Sequence, residues 1–121
     1  MKITLNWPDS IPQTQFSKEF LQGMLNRVAV GYYNYGDAKK SYQSGRGYNW
    51  IKSLRLRLSH YRSSHNTENL IDCANYAMLE FLYPNDKKAF FKATDKSGSP
   101  GAHLLDGRVV KGKDELEVPS A

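Results

Sequence analysis

Apolar positions open the chain in alternation. Ile3, Leu5 and Trp7 are separated by Thr4 and Asn6, and Pro8 ends the run. A period of two predicts a short N-terminal strand, and the following PDSIPQT, with its two prolines, predicts a turn. From there the period lengthens. Phe16, Phe20, Leu21, Met24, Leu25, Val28 and Tyr32 fall on one stripe, predicting a helix over residues 13–31 with Lys18, Glu19, Asn26 and Arg27 on its other side. Gly23 lies within that stripe, where glycine is worse than alanine by about 1 kcal/mol. Its presence points to a close crossing. Either Gly31 or Gly36 ends the helix, because glycine takes the left-handed conformation at a helix C-terminus without strain.

Residues 39–47 (KKSYQSGRG) read as a polar, flexible loop. The next stretch contains LRLRL, which alternates as a strand would. Trp50, Ile51, Leu54, Leu58 and Tyr61 nevertheless recur at helical spacing over a longer window, so length decides for a helix over residues 47–62. Leu56 then lies off the main stripe, at a second covered surface or a subunit contact. Residues 66–84 (NTENLIDCANYAMLEFLYP) predict the central helix, over 67–83. Asn66 or Thr67 caps its start, Glu68 suits the dipole there, and Pro84 stops it. Leu70, Ile71, Cys73, Ala74, Ala77, Met78, Leu79, Phe81 and Leu82 leave it apolar nearly all round, as a helix covered on several sides is. Asp72, Asn75 and Glu80 stand out on it, needing either cations from elsewhere in the chain or a polar ligand.

Beyond Pro84, residues 89–95 predict a short extended piece, and Asp106-Gly107 between apolar residues predicts a hairpin. DKSGSPG is a loop of small residues able to offer backbone N–H groups to an anion. The tail from about residue 112 reads as flexible. The fold class is therefore mainly α with a small β part: three principal helices, a short N-terminal strand and a C-terminal hairpin. At 121 residues this is most simply one domain.

Composition sharpens the partner class. One cysteine, Cys73, excludes an intrachain disulfide framework and reads as a small core residue. Neither a secretory leader nor a bilayer-length apolar run is present, which predicts a soluble cytoplasmic protein. The formal charge is +5, with eight Tyr, five Phe and two Trp, a mixture suited to phosphate-and-base ligands. Between Asp37 and Glu68 no acidic residue occurs, while Lys39, Lys40, Arg46, Lys52, Arg55, Arg57 and Arg62 do. That interval, with Tyr42, Tyr48, Trp50 and Tyr61, predicts an anion-binding surface more readily than a solubilising face, which usually mixes signs.

Catalytic patterns are weak. His60, His65 and His103 lack the paired spacing of a helical zinc site, and no nucleophile elbow, P-loop or dinucleotide fingerprint occurs. An all-α nucleotide pyrophosphohydrolase needs two helices that each carry paired carboxylates for magnesium. Here Glu68 and Asp72 stand four apart, Glu80 is alone, and Asp114 and Glu117 lie in the tail, so no cage assembles. The sequence calls for no catalytic residue, metal or cofactor.

Taken in order, GYYNYGD, then NTENLIDCANYAMLEFLYP, then FKATDKSGSPG and a late DGR resemble the phage Thoeris anti-defence family of cyclic-nucleotide sponges, over about residues 27–108. The resemblance implies sequestration without catalysis: a cyclic ADP-ribose isomer, made as an immune signal by a TIR-domain enzyme, is held intact and kept from its effector in the host cytoplasm. It also implies, for some members, cyclic oligonucleotides at separate sites of a larger assembly. The family's ligand contacts resemble Phe81, at the end of the central helix, and the late Arg108, with Arg27 as a third. Asp106, Asn75, Met78 and Arg57 complete the candidate set. LLDGRVV, more apolar than the family pattern, and the basic 39–62 stretch are departures from it, and the cations of that stretch match no family pocket residue by residue.

Physical chemistry supports such a role from the residues themselves. A sponge needs rings to stack on a base, arginines for phosphate, and closure against water. A small chain closes a pocket most easily between subunits, which predicts a homo-oligomer, a dimer or a multiple of one. The rivals are an RNA- or DNA-binding module tracking phosphates along 39–62, which is strongly salt-sensitive, and the magnesium-dependent pyrophosphohydrolase.

Overall fold

A computed structural model describes residues 2–45, 47–92 and 115–118. Among these the chain is mainly helical: strand β1 (Ile3–Asn6), helices α1 (Lys18–Tyr35), α2 (Ala38–Gln43), α3 (Trp50–Ser64) and α4 (Glu68–Leu82), and strand β2 (Glu115–Val118). It divides into two compact units, one of residues 1–18 with 89–120 and one built on residues 19–88.

In the first unit β1 pairs antiparallel with β2, Ile3 opposite Val118 and Asn6 opposite Glu115. The alternation at the N-terminus thus forms a strand as expected. Its partner comes from the tail that reads as flexible, and that expectation is corrected for residues 115–118. After β1, Trp7 donates its indole N–H to the Ile11 carbonyl at 2.7 Å and meets the Phe16 ring edge-on at 5.4 Å. A single 3₁₀ turn, Gln13–Gln15, precedes α1, so the first helix starts later than 13 and runs past 31. Residues 89–92 belong to no strand, and the rest of the 89–95 piece, the Asp106-Gly107 hairpin and the DKSGSPG loop lie outside the described residues.

The second unit is built by punctuation that the sequence carries. Gly36, at φ 82°, donates to the Tyr32 carbonyl at 2.8 Å and ends α1, so Gly36 and not Gly31 is the stop. Asp37 follows at once and accepts from Lys39 N at 2.8 Å, capping α2. The segment expected as a flexible loop therefore holds a short helix, because a capping aspartate outweighs the low apolar content behind it. Asn49 caps α3 by accepting from Lys52 N at 3.0 Å, and LRLRL is helical as its longer window predicts. His65, at φ 65°, closes α3. Asn66 then accepts from Glu68 N at 3.1 Å and starts α4.

Joined by only residues 65–67, α3 and α4 pack as an antiparallel helical hairpin. Contacts run in opposite chain order along it: Trp50 Nε1 donates to the Tyr83 carbonyl at 3.2 Å, and Cys73 Sγ to the Leu54 carbonyl at 3.4 Å. Helix α1 crosses α4 at Gly23, where a Cβ would come within 2.6 Å of Ile71 Cδ1. The contact expected there is present, made by the Ile71 side chain against the bare Gly23 backbone. The central helix does not, however, submerge its apolar residues. Among the described residues Trp50, Asp72 and Asn75 are buried, while Leu21, Met24, Leu25, Leu54, Ile71 and Leu79 are half-buried. Val28, Tyr32, Leu56, Leu58, Phe81 and Leu82 are exposed.

Candidate functional site

The polar residues of α4 lie on its most covered side. Asp72 and Asn75 are each only 8% exposed, and a buried carboxylate requires a partner. Two arginines meet it. Arg27, from α1, directs Nε to Asp72 Oδ1 at 3.1 Å, and Arg57, from α3, places Nε 3.8 Å from Oδ2. One turn earlier on α4, Glu68 Oε1 lies 3.6 Å from Arg27 Nη1. The hydrogen bond to Asp72 raises the Arg27 pKa, outweighing the opposite effect of burial, and the charges of Asp72 and Glu68 add to it. Arg27, expected on the polar side of its helix, is thus turned into the α1–α4 contact. The cation expected to partner Asp72 comes from two helices at once.

Asn75 donates Nδ2 to the Met24 carbonyl at 3.0 Å, while its buried Oδ1 meets no protein donor among the described residues. Glu80 accepts from Asn85 N at 2.8 Å, helping to fix the chain as it leaves α4. Burial raises the Cys73 thiol pKa, with Asp72 adding to the shift and Arg57 opposing it.

Asp72, Asn75, Met78 and Phe81 recur at intervals of three and so form one row along α4. At about 100° and 1.5 Å per residue the row ends at Phe81, about 13.5 Å from Asp72 and half-way round the helix. Met78 is half-buried within the row, and the Phe81 ring, at 71% exposure, stands well out from the covered side. Of the candidate residues, then, Arg27 and Arg57 converge on one carboxylate, Asn75 adjoins it, and Phe81 lies at the other end of the row. Arg108 and Asp106 lie outside the described residues. Glu68 is outside the candidate set, yet its four-residue spacing from Asp72 is the signal that ties it to the same cation.

The acid-free interval divides. On α3, Lys52, Arg55 and Arg62 share one exposed face, and Arg57 points elsewhere, toward α4. Its aromatic residues are spent largely on structure. Tyr48 leans on Trp50 at 5.5 Å and meets Tyr35 at 6.5 Å, and Tyr42 packs on Tyr83 at 5.6 Å while its hydroxyl donates to the Pro84 carbonyl. Asn85 Nδ2 completes this end of the unit by donating to the Tyr48 carbonyl at 2.7 Å.

No group of three His, Cys, Asp or Glu side chains among the described residues could hold a metal ion, and no described helix is long and apolar enough to cross a membrane. No known family, curated protein or solved structure matches the chain.

Proposed function

We propose that this protein binds a cyclic ADP-ribose-type signalling nucleotide and sequesters it intact, acting as a phage anti-defence sponge in the host cytoplasm. The observation that carries the reading is the row on α4, with two arginines gathered at one end and an exposed aromatic ring at the other. Diphosphate and base are the two recognition groups of such a ligand, and they call for these two side-chain types. Glu68 and Asp72, the carboxylates a magnesium-dependent hydrolase would need, are instead engaged by arginine. That favours holding over cleaving.

Because the ends of the row face opposite sides of α4, a compact cyclic nucleotide touches both kinds of group most simply between two copies. The arginines of one chain would face the ring of another. Exposed Val28, Tyr32, Leu56 and Leu58 supply apolar surface for such self-association. Arg108 and Asp106 enter the site through the resemblance alone, as does a second class of site for cyclic oligonucleotides.

The test mixes the protein with lysate containing the TIR-made signal, removes unbound material, and heats the complex. Intact signal released on denaturation is the expected result. Converted signal, or none retained, overturns the reading. The face of Lys52, Arg55 and Arg62 favours one alternative, a phosphate-tracking nucleic-acid module, which retention of single-stranded RNA with steep salt dependence would reveal.

A further inference from the structure

We propose that Asp72 is a positioning residue that presents Arg27 and Arg57 as a pair to the diphosphate of the bound nucleotide, an inference that rests on the sequestering role above. Two guanidiniums arriving from different helices repel one another and are mobile side chains when unheld. The Asp72 carboxylate answers both problems. Its Oδ1 takes Arg27 Nε at 3.1 Å and its Oδ2 faces Arg57 Nε at 3.8 Å. Both contacts use the inner nitrogen of the guanidinium, whose donors number about five; Arg27 Nη1 also faces Glu68 Oε1 at 3.6 Å, so the groups left for an anion are Arg27 Nη2 and the terminal nitrogens of Arg57. Exposure agrees with that geometry: the arginine side chains are 38% and 35% exposed and the Asp72 side chain 10%. An anion arriving from solvent therefore meets guanidinium before the Asp72 carboxylate, with the more exposed Glu68 side chain (57%) beside Arg27.

The sign of the effect separates positioning from simple charge. Arg27 and Arg57 are balanced by Asp72 and Glu68. Removing the Asp72 charge makes the cluster net positive, so Coulomb attraction alone would tighten anion binding. Positioning predicts the reverse, because the arginines lose the anchor that holds them side by side.

The full chain, unaltered and as Asp72→Asn, is titrated by calorimetry with cyclic ADP-ribose, inorganic pyrophosphate and adenosine, with melting curves alongside. The expected result is loss of affinity by about ten-fold or more for pyrophosphate and cyclic ADP-ribose in Asp72→Asn, with adenosine unchanged. Unchanged or tighter pyrophosphate binding overturns the proposal, and so does an equal loss for adenosine, which marks a merely structural role. If the unaltered protein holds no cyclic ADP-ribose, the sequestering reading falls by itself. If it holds the nucleotide and Asp72→Asn holds it equally well, only the positioning role falls. Should Asp72→Asn fail to fold, arginine side-chain NMR of the unaltered protein decides. Pyrophosphate should shift the Nη signals of Arg27 and Arg57 and leave the Arg27 Nε–H signal, hydrogen-bonded to Asp72, protected; loss of that protection, or no arginine response, overturns the proposal.

Discussion

Truncating Phe81 to alanine separates a ligand-facing ring from a core ring, because the two make opposite demands on stability. At 71% exposure the ring keeps less than a third of its surface from water. Full burial of a phenylalanine is worth about 1.5–3 kcal/mol, so the burial lost here amounts to less than about 1 kcal/mol. Alanine is also the better helix former, by up to about 0.7 kcal/mol, which offsets part of that loss. A core phenylalanine would cost about 3–5 kcal/mol. Binding should respond more strongly than folding. Stacking a base on an aromatic face contributes roughly 1–3 kcal/mol, equivalent to about 5- to 150-fold in dissociation constant. The assay pairs thermal melts by circular dichroism with calorimetric titration of a cyclic ADP-ribose isomer, at concentrations where sedimentation shows the same assembly for both proteins. A melting temperature within about 8 °C of the parent is expected, together with a clear loss of affinity. A collapse in melting temperature with unchanged affinity would falsify the placement of the ring at the ligand.

Three further outcomes follow from the helical unit. Gly23→Ala should gain little by itself, since the new Cβ meets Ile71 Cδ1 at 2.6 Å; on an Ile71→Val background the same change should be more favourable by about 1 kcal/mol, read as the coupling in a denaturant double-mutant cycle. His65→Gly should stabilise by about 0.5–1 kcal/mol in urea titration, because only glycine adopts φ 65° without strain; a loss would mean that the imidazole makes a contact worth more than the backbone relief. Burial raises the Cys73 thiol, so the neutral form is the favoured one. That contribution is complete below the ordinary thiol range and fades as pH rises through the shifted value. Alkylation by iodoacetamide should accordingly follow a curve displaced to higher pH in the native protein than in urea, and coincident curves would refute it.

How much of this was open to a reader of the sequence depends on distance along the chain. Local signals carried well: Gly36 and Pro84 mark helix boundaries by backbone chemistry, and Gly23 announced its contact by being a poor residue for its place, whereas the Asn49 cap, which starts α3 at Trp50 rather than at 47, went unread. Asp37 carried an equally local signal for α2, but the six residues behind it have too little apolar content to suggest a helix by period. What local pattern could not supply was pairing across long separations. Arg27 and Asp72 are 45 residues apart, and nothing in either neighbourhood selects the other. The partnership of β1 with residues 115–118 is longer-range still: Glu115, Leu116, Glu117 and Val118 do alternate, but a four-residue alternation does not name the strand it pairs with. The candidate arginines were nameable as cations. Their convergence on one carboxylate was not.

The interior of the helical unit has a thermodynamic consequence. Of the described residues that are buried, two of three are Asp72 and Asn75, so unfolding the helical unit of a lone chain exposes little apolar surface that was previously dry. Heat-capacity change and denaturant sensitivity both scale with such surface. An isolated chain should therefore unfold over a broad range of urea with a shallow slope. If copies cover one another's exposed Val28, Tyr32 and Leu56, the slope should steepen and the midpoint should climb with protein concentration. The width of the transition, followed across a dilution series, then becomes a gauge of how much of this protein's hydrophobic interior is held in common between chains.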